Sequence, residues 1–155
     1  MNKRIIIGIV LCCVGASSHA QVPAFESFAK DRSLTYVYVS RGALSFSGAV
    51  DYSSLGISSD MEGIIRKLDA LQIIRSNGLR ASKRTEKAVR KIIRTGKYES
   101  VMQLDERGSE VTIYSGSHND AAVLVMCTRA LPDYSVMVFS GRFTLDEILA
   151  LIKRE

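Results

Sequence analysis

Residues 98–140, YESVMQLDERGSEVTIYSGSHNDAAVLVMCTRALPDYSVMVFS, decide the fold. From Tyr98 the pattern has period two. Tyr98, Met102 and Leu104 point one way and Glu99, Gln103 and Asp105 the other, as side chains alternate along a strand. Asp105-Glu106-Arg107-Gly108 reads as a turn. Val111 and Ile113 then oppose Glu110 and Thr112, and Ser115 to Asp120 reads as the next turn. Ala121 to Thr128 is apolar on both faces, which predicts a central strand covered on both sides, and Tyr134 to Phe139 repeats the pattern beyond Pro132-Asp133. Successive strands joined by short loops pair antiparallel. Four strands with no helix between them exclude a doubly wound parallel sheet.

Upstream, helices and strands alternate. A short helix is expected near Pro23, with Phe25, Phe28 and Ala29 on one face. Leu34 to Ser40, LTYVYVS, reads as a strand apolar enough on both faces to be central. Arg41 to Phe46 fits a helical turn or two, and the Gly- and Ser-rich Gly48 to Ser58 fits a loop. Ser59-Asp60-Met61-Glu62 matches a capping box, with Met61, Ile64, Ile65 and Leu68 following at helical spacing. Leu71 to Arg75 predicts a second strand. Ser82 is placed to cap a helix over Lys83 to Thr95 that Gly96 ends. At the far end Thr144-Leu145-Asp146-Glu147 is a second capping box. There Leu145, Ile148, Leu149 and Ile152 make one apolar face, and Lys153 and Arg154 complement the negative helix end. The reading is α+β: a mainly antiparallel sheet of about six strands with helices packed against it, the last helix covering the sheet.

The chain begins with a leader. Asn2, Lys3 and Arg4 precede the mostly apolar run Ile5 to Ala16, and Ser18-His19-Ala20 offers small residues at the cleavage-determining positions. This is the pattern of a secretory signal cut after Ala20, and the run is short for a span, which needs ~20 apolar residues. Residues 21–155 would then form one domain of net charge +3, exported to the periplasm or beyond, with no transmembrane segment after cleavage. Cleavage also removes Cys12 and Cys13. Cys127, left alone in an apolar run, can form neither an internal disulfide nor a thiolate metal cluster, and reads as a small buried hydrophobe.

Charge is segregated. Residues 66–97 carry a net +9 and the rest of the mature chain −6. The basic end centres on one helix bearing Lys83, Arg84, Lys87, Arg90, Lys91 and Arg94, which the reading takes as a partner-binding face. Runs of charge commonly serve as solvated surface. The alternatives are an anionic envelope surface, where each cation is worth roughly 1 kcal/mol, and an acidic protein, a second copy included. Nucleic acid is not expected, because the helix lacks interleaved aromatics for stacking.

Chemical signatures are sparse. No zinc spacing, glycine-rich phosphate loop or nucleophile elbow occurs, so no catalytic residue, metal or cofactor is assigned. Ser117, His118 and Asp120 are too close together in one tight turn to orient one another as a triad. The acid pairs Asp105-Glu106 and Asp146-Glu147 fit a turn and a cap. Tyr36 and Tyr38 share a strand face, and Tyr134 would neighbour them if the last strand pairs there. Core packing is the simplest role for these tyrosines, and a small-ligand face is the alternative. The expected function is therefore a non-enzymatic domain that binds a protein or envelope component, an accessory to envelope maintenance or signalling. A ligand carrier comes second and an unrecognised hydrolase third.

The chain also resembles a known group. The leader, LTYVYVS (34–40) followed by ALSF (43–46), DALQII (69–74), YESVMQLDERGSEVTIYS (98–115) and the ending VLVMCTRALPDYSVMVFSGRFTLDEILALI (123–152) are similar to the exported bacterial proteins gathered as domain of unknown function 4252. The resemblance covers residues 24–155. It implies a Gram-negative envelope or periplasmic α+β domain and brings no catalytic residues.

Overall fold

The computed structural model describes residues 22–45 and 62–152. The predicted leader with Cys12 and Cys13, the loop Gly48 to Ser58, the capping residues Ser59 to Met61, and Lys153 and Arg154 lie outside them. The elements are α1 (Pro23–Glu26) with a 3₁₀ turn (Ser27–Lys30), β1 (Leu34–Ser40), α2 (Arg41–Ser45), α3 (Glu62–Ile65), β2 (Leu68–Ser76), α4 (Leu79–Thr95), β3 (Glu99–Glu106), β4 (Ser109–His118), β5 (Ala121–Ala130), β6 (Asp133–Gly141) and α5 (Leu145–Ile152). The strands form one six-stranded sheet of order β1-β2-β6-β5-β4-β3, each neighbouring pair antiparallel. This is the α+β architecture expected.

Helices cover both faces. One core layer gathers Leu71, Ile73, Leu124 and Phe139 under Leu44, Ile64, Ile65 and Ile148 from α2, α3 and α5. The other gathers Ile74, Val125, Val136 and Val138 under Phe25, Phe28, Val89 and Ile93 from α1, the 3₁₀ turn and α4. Double cover explains why β5 and β6 are apolar at nearly every position. Gln72, the one large polar side chain buried completely in the sheet, is satisfied across the layer. Its Oε1 accepts from the Val22 N–H at 3.1 Å, and its Nε2 donates to the Val22 carbonyl at 3.3 Å and the Tyr36 hydroxyl at 3.0 Å. The start of α1 is thereby tied to the sheet.

Several expectations require correction. β1 is an edge strand, not a central one. It is apolar on both sides because helices lie above and below it, with Val39 in one layer and Leu34 and Tyr36 in the other. Leu68 opens β2 and does not continue the helix of Ile64 and Ile65, and β2 is nine residues long where five were expected. β4 runs on to His118, so the following turn is only Asn119-Asp120, both at positive φ (48° and 63°). Arg107 (φ 50°) and Gly108 (φ 83°) make the matching turn between β3 and β4, the two-residue geometry whose twist suits a hairpin.

Tyr98 and Met102 do not share a face. A register shift between Ser100 and Met102 inserts one residue into β3, and a bulge of this kind reverses the alternation beyond it. Met102 packs with Ile113 in one layer and Tyr98 with Tyr114 in the other. At the C-terminus the second capping box is present. The Thr144 N–H donates to Glu147 Oε2 at 2.9 Å, and the Glu147 N–H donates to Thr144 Oγ1 at 3.3 Å.

Candidate functional site

The candidate site is α4 and the two hollows flanking it. The helix is 17 residues long and starts at Leu79, not Lys83, with Gly78 at its N-cap (φ 89°). Ser82 is not a cap. It lies one turn in and is buried, its hydroxyl donating to the Pro132 carbonyl at 2.7 Å and standing 3.2 Å from Ser76 Oγ. Ser82, Thr85, Val89 and Ile93 form the buried stripe, spaced for one helix face. That stripe fixes the helix over β2 and β6 and turns its cations outward.

The six basic residues divide into two groups. Arg84 reaches Asp31 at 3.1 Å and the Ser33 hydroxyl at 2.7 Å. The Asp31 carboxyl is held below its ordinary range, chiefly by hydrogen bonds from Ser33 and then by Arg84. Arg90 pairs with Glu86 one turn back at 2.8 Å. By contrast, among the described residues Lys83, Lys87, Lys91 and Arg94 form no ion pair and all are exposed. Lys83, Lys87 and Lys91 repeat at i, i+4, and Arg94 extends the line, over ~16 Å of helix.

One flank of α4 holds a cavity of about 310 Å³ between the helix and β4, β5 and β6. Its charges largely answer one another. Arg129 pairs with Glu110 and lies 3.6 Å from Glu86, which also holds Arg90. Cys127 lies at its apolar side, and burial pushes its thiol up to about 11. Burial likewise raises the neighbouring Tyr134 hydroxyl. A thiol held protonated is a poor nucleophile and metal ligand.

The other flank is an apolar trough of about 650 Å³ between α4 and the segment Val22 to Phe28. Ala88, Ile92 and Tyr98 line it, with Lys91 and His118 as its basic members. Tyr98 is held between two glycines. A Cβ on Gly96 or Gly116 would stand 2.4 Å from its ring. No sequence pattern pointed to this trough, because its two walls are some sixty residues apart.

The tyrosines do not form one patch. Tyr36, Tyr38 and Tyr134 share the sheet face, as expected, but β6 pairs with β2 rather than β1. Tyr36 stands opposite Ile74 and Tyr134 opposite Ser76, so β2 separates them. Tyr134 faces the Cys127 cavity. The Asn119 Nδ2 amide donates to His118 Nε2 at 3.2 Å. Among the described residues no group of His, Cys, Asp and Glu is gathered in metal-binding geometry, and no helix is long and apolar enough to cross a membrane.

Residues 28–151 match one family model, spanning every strand and all of α4. The chain belongs to the family described as Domain of unknown function (DUF4252). No curated protein and no solved structure matches it. The DUF4252 match begins inside the 3₁₀ turn, so Val22 and Phe25, which lie between α4 and the sheet, precede it.

Proposed function

We propose that this DUF4252 protein is an exported, non-enzymatic binding domain that lays the basic line of α4 on an anionic surface of the cell envelope. The observation that carries this reading is the ladder Lys83, Lys87, Lys91 and Arg94, without an acid partner among the described residues. Like charges one turn apart destabilise a helix by about 0.2–0.5 kcal/mol per pair. A helix needed only for packing would gain by interleaving acids, as Glu86 does for Arg90. The line is straight and exposed, which suits an extended surface better than a compact ligand. Each cation beside anionic lipid is worth ~1 kcal/mol, so four support a reversible attachment. Export to the periplasm rests on the leader, Asn2 to Ala20.

Co-sedimentation with vesicles tests the reading. The purified protein is expected to bind vesicles rich in phosphatidylglycerol and not vesicles of phosphatidylcholine, with binding falling as salt shortens the ~10 Å screening length. Replacing Lys83, Lys87, Lys91 and Arg94 by Glu should abolish it. Equal binding by that variant would overturn the reading.

A further inference from the structure

The trough beside α4 combines two features that do not occur together in its neighbour across the helix, where Arg94, unpaired among the described residues, shares the cavity with Glu86 and Glu110. The trough's walls are apolar, built from Val22, Phe28, Ala88, Ile92 and the Tyr98 ring, and among the described residues no carboxylate lines it. It also carries Lys91, a cation with no ion-pair partner among the described residues. A polar ligand would leave its hydrogen-bonding groups facing Val, Phe and Ile side chains, which is costly. An uncharged hydrocarbon would fill the trough and leave Lys91 without a counter-ion. The volume of about 650 Å³ lies within the ~300–1,000 Å³ range of small-ligand sites. At one end Arg84 crosses from α4 to Asp31 and Ser33, tying down the segment that forms the far wall. At the other end stands His118.

We propose that this trough binds the alkyl chain of a long-chain fatty acid, with its carboxylate against Lys91. The inference rests on the reading of α4 as an anion-facing helix only through Lys91, and goes beyond it in assigning a separate, apolar ligand site. Tyr36, Tyr38 and Tyr134 do not line this trough. The sandwich of Tyr98 between Gly96 and Gly116 gives the trough a rigid floor, since the ring cannot move toward either glycine without closing on backbone.

Calorimetric titration with laurate, below its micelle concentration, tests the assignment. Saturable one-to-one binding is expected. Hexanoate, with six fewer methylenes to bury, should bind at least about tenfold more weakly. Lys91→Met, at an exposed position that leaves the packing alone, should weaken laurate about threefold to fivefold and leave dodecanol unaffected. Ala88→Phe fills the trough and should abolish laurate binding while leaving attachment to phosphatidylglycerol vesicles intact. Lys83→Glu with Lys87→Glu should do the reverse. Laurate binding by Ala88→Phe at wild-type affinity, or equal affinities for laurate and hexanoate, would overturn the proposal. Vesicle attachment without any laurate binding would also overturn it and leave the surface reading standing. Laurate binding without vesicle attachment would support the trough and remove the surface reading.

Discussion

Arg84 on α4 and Asp31 after the 3₁₀ turn meet at 3.1 Å across 53 positions of sequence, and Ser33 completes the contact. Together with Gln72, which grips Val22 from within the sheet, this contact holds the segment 22–33 at both its ends. Arg84→Ala should therefore leave global unfolding nearly unchanged, since exposed ion pairs contribute little. It should selectively loosen Pro23–Lys30. Hydrogen exchange would show faster exchange there and unaltered protection in β5 and β6. The same loosening is expected as pH falls, because the lowered Asp31 pKa means the contact is complete above its ordinary value of 3.8 and is lost on acidification.

Lys87→Glu should stabilise the protein. The new carboxylate would stand one turn from both Lys83 and Lys91, adding about 0.5–1 kcal/mol in two i, i+4 pairs. Urea denaturation measures the gain. A rise in stability together with weaker attachment to anionic vesicles is the outcome for a face kept basic for contact.

Ser82→Ala should cost about 1 kcal/mol by chemical denaturation, because the buried Ser82 hydroxyl gives up its 2.7 Å bond to the Pro132 carbonyl.

Gly116→Val should destabilise by about 1–3 kcal/mol through overpacking. The added side chain meets the Tyr98 ring, which Gly96 already confines from the other side. Tyrosine fluorescence and the unfolding midpoint should shift together.

Burial holds Cys127 protonated, with its pKa moved from 9.0 to about 11, and Tyr134, Tyr98 and Tyr114 are raised as well. A raised folded-state pKa means stability is complete below pH 9.0 and is lost as pH climbs toward 11, by about 2–3 kcal/mol for Cys127 alone. Alkylation of Cys127 at pH 8 should be slow in the native protein and fast in urea. Cys127→Ala should flatten part of the alkaline decline in the unfolding midpoint.

The sheet was legible because its signal is local. Alternation over Val111 to Ile113 and double apolarity over Ala121 to Thr128 and Tyr134 to Phe139 follow directly from burial on one or both faces. Boundaries failed where another contact overrode the local signal. Ser82 has the chemistry of a cap but is more useful to Pro132, and Leu68 is drawn into β2 by its place in the core. β1 looks central because helices, not strands, cover it. Of the site, the basic line and the Glu86–Arg90 pair could be read from spacing, whereas Arg84–Asp31 and the apolar trough join residues that only the fold makes neighbours.

The extra residue at Val101 gives β3 a divided allegiance. Before it the chain belongs to the layer of the basic helix, and after it to the layer of α2, α3 and α5. Deleting that one residue would restore simple alternation while leaving Met102 opposite Ile113 in the same layer, so this shortest possible edit would straighten the exposed rim strand and spare the packing on either side of it.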